Sequence, residues 1–291
     1  MTSSVLSLKP SFNGPEGQQD MPYLLTPGPL TTSRGVKLAM LADWGSRDIE
    51  FRAIIDEIRT RLLQMARAND DYECVLMQGA GTFSIEAALS AFCPSGRKRK
   101  TLVVANGAYG ARAAKILERL RRPHLVLTSD EETTPDPARV REVLASDADI
   151  EAVFVVHCET TTGIINPYRE IASAARDNGA ICILDAMSSF GAIEIGMPAD
   201  NVDVLVSSAN KCIEGVPGFG YVLCRRDLLE ASKGKSHSLS LDLYDQWQAM
   251  EKNGQFRFTP PTHLLAAFHQ ALIEHENQGG VAARGARYER N

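Results

Sequence analysis

The chain has 291 residues, 44% hydrophobic and 23% charged, enough for one large domain, or a large domain with a small partner, around a core that needs no staples. Its 36 acidic and 31 basic residues give a net charge of −5, which argues against a general nucleic-acid binder. No apolar run approaches the ~20 residues of a membrane span. The six cysteines make no CxxC pair and the six histidines no HxxxH or HExxH pair, so no structural metal site is expected.

Residues 1–22 are rich in Pro, Gly, Ser and Gln and lack the basic and apolar regions of a signal peptide. They are expected to form a loose N-terminal arm, and the chain is expected to be cytoplasmic. Regular patterning begins with an amphipathic helix over Ile49–Arg67. A strand is predicted at Glu73–Gln78 and a helix at Thr82–Phe92. The basic run Arg97-Lys98-Arg99-Lys100 reads as a solvated turn before strand Thr101–Ala105. Helix Ala108–Arg121, strand His124–Thr128, helix Asp136–Ala145, strand Ala152–His157 and helix Pro167–Asn178 follow. Pro137 falls in a first helical turn, where a missing N–H is harmless, and Asn178-Gly179 supplies a glycine C-cap. Strands Ile181–Asp185, Val202–Ser207 and Gly220–Cys224 complete the alternation. Runs such as ICILD and EAVFVV are apolar throughout, as in a sheet covered on both faces. The expected fold class is therefore α/β, a mainly parallel doubly wound sheet. Beyond Lys233 the pattern is helical, over Leu239–Glu251, His263–Gln278 and from Val281 to Asn291.

Ligands of open α/β sheets bind beyond the carboxyl ends of the strands, so chemistry is sought there. Gln78-Gly79-Ala80-Gly81-Thr82 combines glycines, which admit close backbone approach, with a helix N-terminus and an N-cap hydroxyl. It reads as a phosphate cup or as a tight strand-to-helix turn. Tyr109, among the small residues of Asn106-Gly107-Ala108-Tyr109-Gly110, could lie flat on a planar ligand or pack on the sheet edge. Glu159-Thr160-Thr161-Thr162-Gly163 offers hydroxyls to a polar ligand, or is a threonine-rich turn. Asp185 ends an apolar strand, where a carboxylate is costly unless a cation or protonated ring nitrogen faces it. Lys211, in Ser207-Ser208-Ala209-Asn210-Lys211-Cys212, sits in a glycine- and proline-shaped loop and is a candidate amine for an aldehyde. A phosphate cup, a stacking ring, a carboxylate for a pyridinium nitrogen and an amine for an aldehyde together are what pyridoxal 5′-phosphate (PLP) needs. A dinucleotide enzyme is poorly matched, since no GxGxxG follows an early strand.

The stretches LLTPGPLTTS, QGAGT, ANGAYGAR, HCETTTGIINP, DAMSSFG, SSANKCIEGVPGF, SLSLDLYDQW and FTPPTH, in that order from residue 23 onward, resemble the class V aminotransferases, PLP enzymes of fold type I. SSANKCIEGVPGF and SLSLDLY resemble the group that acts on 2-aminoethylphosphonate and pyruvate. By this resemblance Lys211 carries the cofactor and Asp185 pairs with its ring nitrogen. Tyr109 stacks on the ring, and Ala80, Gly81, Thr82 and Asn210 surround the phosphate. Thr160 lies near the ring, and Pro27-Gly28-Pro29 form a substrate-side loop. Thr259 reaches the phosphate of a neighbouring subunit, which implies a homodimer with shared active sites. Residues 23–262 then form the PLP-binding large domain, and 263–291 form a helical segment leading to the family's C-terminal small domain, which bears the arginine for the substrate acid group and is expected to be truncated here. Ala80 stands where the family often has serine. Two alternatives remain at this point: alanine– or serine–glyoxylate transamination, and a PLP-binding chain that does not turn over.

Overall fold

The computed structural model describes residues 23–96 and 98–291. The expected arm over residues 1–22 lies outside them. A five-residue helix α1 (Arg34–Leu38) and a single 3-10 turn precede α2 (Ile49–Met65). Strand β1 (Tyr72–Gln78), helix α3 (Gly81–Phe92), β2 (Lys100–Ala105), α4 (Ala108–Arg119) and β3 (His124–Thr128) follow. Then come α5 (Pro137–Ser146), β4 (Ile150–Val156), α6 (Tyr168–Asp177), β5 (Ile181–Asp185), β6 (Val204–Ser208) and β7 (Phe219–Arg225). Helices α7 (Arg226–Glu230), α8 (Leu243–Asn253), α9 (Thr262–Asn277) and α10 (Gly280–Glu289) complete the described chain.

Local sequence explains several boundaries. The Asp136 side chain accepts from Ala138 N at 2.9 Å and Pro137 opens α5. Helix α8 begins at Leu243 rather than at Leu239, because the Asp242 carboxylate caps Asp245 N at 3.1 Å. The segment before it is held by Ser238 Oγ, which accepts from Leu241 N, and by Arg257, which donates to the Leu239 carbonyl. Gly254 ends α8 in the left-handed region, φ 69°.

The seven strands form one sheet in the order β1-β7-β6-β5-β4-β2-β3. Strands β3, β2, β4, β5 and β6 run parallel, as expected; β7 is antiparallel to both β6 and β1. Strand β1 therefore runs the same way as the parallel five, and its carboxyl end shares their edge. Side chains divide strictly between faces. Cys74 and Leu76 of β1, Val153 and Val155 of β4 and Leu184 of β5 pack with Phe51, Ile55, Ile171 and Phe268 from α2, α6 and α9. Val75, Met77, Phe154, Val156 and Ile183 pack instead with Ile85, Leu89, Leu117 and Trp247 from α3, α4 and α8. Both faces are covered, which is why the strands are apolar without alternation. At ~25 cal/mol per Å² of apolar surface these two layers supply most of the drive to fold. They fix the sheet and so the loops at its carboxyl edge.

Candidate active site

A cavity of about 190 Å³ opens at that edge. Five loops meet around it, from the ends of β1, β2, β5 and β6 and from the segment containing Gly28. Its wall contains Ala80, Gly81 and Thr82, then Tyr109 and Arg112, then Asp185 and Met187, then Ser208, Asn210 and Lys211, with Gly28 opposite. Of the residues singled out in the sequence, Lys211, Asp185, Tyr109, Asn210, Gly28 and the Ala80–Thr82 turn are thus brought together.

Lys211 follows β6 in a tight turn. Glu214 N donates to the Lys211 carbonyl at 2.7 Å and Gly215 N to the Ala209 carbonyl at 2.9 Å. Glu214 holds φ 61°, unusual for a residue with a side chain, so the turn needs support. Helix α10 supplies it. Arg284, only 3% exposed, donates to the Cys212 carbonyl and sits 3.3 Å from Glu214 Oε2. Arg287 and the Tyr288 hydroxyl reach Glu214 Oε1 as well. On the other side, Leu30 N donates to the Asn210 carbonyl at 3.3 Å. Gly28, with φ 151°, lies so near that a Cβ there would overlap the Lys211 side chain.

Asp185 is 4% exposed and lines the same cavity. Its Oδ1 accepts from Met187 N at 3.0 Å, and no donor among the described residues reaches Oδ2. Burial is the main force raising its pKa to about 6; the Glu159 carboxylate adds to it, while the Met187 amide, Lys211 and Arg112 oppose it. A buried carboxylate with one free oxygen, facing a cavity, suits a cationic N–H on a ligand.

The first amides of α3, at Gly81 and Thr82, have no carbonyl within the helix to bond. They face the cavity with the positive end of the helix dipole behind them. Gly79, φ 99°, allows the turn to pass against Phe83. At the neighbouring helix, the Tyr109 ring lies under the Arg112 guanidinium, 4.5 Å from ring centroid to Cζ.

Two contributors escaped the sequence reading. Glu159, fully buried, accepts from Tyr109 N at 3.3 Å and so anchors the first turn of α4. Gly107 is needed there, since a Cβ would strike the Glu159 side chain. Attention to the threonines after Glu159 hid it. Arg112 lies one helical turn beyond Tyr109, a spacing that places both on one face. That spacing was the available signal.

Other candidates stand apart from the cavity wall. The Thr160 hydroxyl pairs with Ser188 Oγ at 2.7 Å. Thr259 is exposed, with its carbonyl accepting from Gln78 Nε2. Pro27 and Pro29 are exposed on either side of Gly28.

Several solved aminotransferase structures share this fold. The chain superposes on pyridoxamine–pyruvate aminotransferase from Mesorhizobium loti with a TM-score of 0.84 at 24% identity, covering 92% of this chain and 69% of that one. On alanine–glyoxylate aminotransferase from Nostoc sp. the TM-score is 0.85 at 23% identity, covering 93% and 72%. At those identities the likeness establishes the fold. The family profile described as Aminotransferase class-V matches residues 42–290, and the chain belongs to that family. It is 52% identical over 271 residues to the 2-aminoethylphosphonate–pyruvate transaminase of Rhizobium meliloti (strain 1021), spanning 93% of this chain and 70% of the relative. To the transaminase of the same name from Vibrio vulnificus (strain CMCP6) it is 52% identical, with 92% and 73% covered.

Proposed function

We propose that the chain is a PLP-dependent transaminase that moves the amino group of 2-aminoethylphosphonate to pyruvate, giving phosphonoacetaldehyde and L-alanine. The observation that carries this reading is the meeting of Lys211 with the buried, half-partnered carboxylate of Asp185 in one cavity, beside the open N-terminus of α3. The residues fit the cofactor: an amine for its aldehyde, a carboxylate for its ring nitrogen, Tyr109 for its ring face and amides for its phosphate. When bound, PLP supplies an electron sink for the charge left on carbon when a proton departs.

Within that frame each residue has one task. The Lys211 amine would hold the cofactor at its aldehyde carbon and, with the substrate amine in its place, would be positioned to take the proton from the carbon bearing the substrate nitrogen and to return it one position away. Asp185 would hold a proton on the ring nitrogen, and that cation would offset the burial that disfavours its carboxylate. Ala80, Gly81, Thr82 and Asn210 hold the phosphate, and Thr160 lies beside the ring from the β4 side. Gly28, with Pro27 and Pro29, closes the substrate side. Thr259, exposed in the single chain, would serve the cofactor of a second copy, which makes the working unit a homodimer. Residues 23–262 carry the cofactor. A reducing, cytoplasmic setting fits six free thiols, five of them buried.

The test is a spectrum of the purified chain with PLP, before and after 2-aminoethylphosphonate, with alanine and serine as competing donors. The expected result is a bound-cofactor band that 2-aminoethylphosphonate converts at lower concentration than either rival. A PLP spectrum identical to that of the free cofactor would overturn the cofactor assignment. Preference for alanine or serine with glyoxylate would overturn the substrate assignment.

A further inference from the structure

We infer that Arg112 is a direct ligand of the cofactor's phosphate monoester, the charged member of a cup otherwise built from amides and one hydroxyl; the inference rests on the PLP reading above. Three observations point to it. Arg112 lines the same cavity as Gly81 and Thr82, and its Nη1 lies 3.4 Å from Thr82 Oγ1. Its guanidinium is steered there by the Tyr109 ring, over which Cζ sits 4.5 Å from the centroid. No carboxylate among the described residues lies within 4 Å of it, although the other cavity-lining charge of opposite sign, Asp185, feels it weakly at longer range. An unpaired arginine is thus held at the N-terminus of α3.

A phosphate dianion in that cup would otherwise meet only neutral donors. Ala80, the residue before the helix, has no hydroxyl and makes no side-chain cap. Moving a dianion out of water against amides alone is expensive, and a guanidinium offers planar, paired N–H groups matched to phosphate oxygens. The Arg112 guanidinium donates to Thr82 Oγ1 at 3.4 Å, so both side chains are held together at the helix N-terminus where a phosphate would bind. Lys211, the remaining cation of the wall, would be committed to the aldehyde of the same ligand.

The alternative owner of Arg112 is the phosphonate of the substrate, which has the same chemistry but a different place. Binding to the cofactor-free protein separates the two, because it needs no turnover. Wild type, Arg112→Gln and Arg112→Lys are titrated with PLP and with pyridoxal, which lacks the phosphate, and inorganic phosphate is used to compete with PLP. Arg112→Gln is expected to weaken PLP about tenfold or more, the loss of a charged hydrogen bond, and to leave pyridoxal affinity unchanged. Phosphate should compete with PLP in wild type and lose that ability in Arg112→Gln. Arg112→Lys should recover part of the PLP affinity, since it keeps the charge and loses the fork. Unchanged PLP affinity with a raised KM for 2-aminoethylphosphonate would overturn the inference in favour of the substrate. An equal loss for PLP and pyridoxal would overturn it in favour of support for the Tyr109 ring. Wild type that binds neither PLP nor pyridoxal would bring down the cofactor reading itself, and this inference with it.

Discussion

Two cavities sit at opposite edges of the sheet, and the candidate site residues gather at the smaller one. The amino-end cavity, about 730 Å³, is lined by Asp71, Tyr72, Arg176, Asp203, Arg225, Arg226 and Asp227 among others. Arg225, Arg226, Asp203 and Asp227 of this wall are in ion pairs. Arg225 binds Asp203 at 2.9 Å and also Asp227; Arg226 binds Glu73 at 2.8 Å, and Glu73 in turn holds Arg59 at 3.3 Å. The Asp203 carboxylate also caps Cys182 N at 2.8 Å. The carboxyl-edge cavity is about 190 Å³, yet it holds a lysine, an arginine and a buried aspartate that share no ion pair within 4 Å among the described residues. Paired charges stabilise a fold, and unpaired ones facing a cavity wait for a ligand. Volume alone would choose the other edge.

That contrast can be broken most sharply at Lys211. Lys211→Ala should lower turnover at least ~10³-fold, since both covalent attachment and proton transfer are lost. Steady-state kinetics with 2-aminoethylphosphonate and pyruvate check it, and retained activity would end the proposed role.

Asp185→Asn comes next, and it should move rate and stability in opposite directions. Turnover should fall by ~10²-fold or more, because the ring nitrogen loses its anion. The cofactor-free chain should become more stable. A carboxyl whose folded-state pKa is raised, here from 3.8 to about 6, favours folding below its ordinary pKa and costs stability as pH rises through the folded value. The variant escapes that cost. Its advantage should be absent near about pH 3, grow between about pH 4 and 6, and reach up to about 3 kcal/mol above pH 7. Thermal melts of apo protein across that range check the sign.

At the opposite edge the pattern should invert. Glu73→Gln removes the partner of Arg59 and Arg226, and should cost about 1–3 kcal/mol of stability with kcat unchanged. Denaturant melts beside an activity assay check it. A loss of rate without loss of stability would erase the distinction between the edges. The smallest effect is expected at Arg67–Glu194, a 3.0 Å pair with both side chains more than half exposed. Arg67→Ala should change stability by less than about 0.5 kcal/mol.

The fold was legible in the sequence wherever periodicity decides the matter. The unbroken apolar runs of β4 and β5 announced a sheet buried on both faces, and the strands and long helices lie close to their expected places. Strand direction was not legible. The run over β7 is as apolar as its neighbours, and only the short connection from Lys211 to Gly218 makes it return antiparallel. Helices α1 and α7, five residues each, are too short for a 3.6-residue period to register. At the site, Asp185 stood out because its charge ends an apolar strand, and Lys211 because it sits in a glycine- and proline-shaped loop. Arg112 looked like any arginine on a solvated helix face, and Glu159 like the start of a threonine-rich turn. Their partners, Thr82 and Tyr109, come from loops that only the folded sheet sets side by side.

The grip of α10 on the turn after Lys211 bears on how mutational scans of this chain will look. Arg284 and Cys212 are 72 residues apart in sequence, yet one bond ties that helix to the backbone next to the reactive amine. Directed evolution for altered turnover should therefore return substitutions in α10 that touch no substrate, through the backbone angles of Glu214.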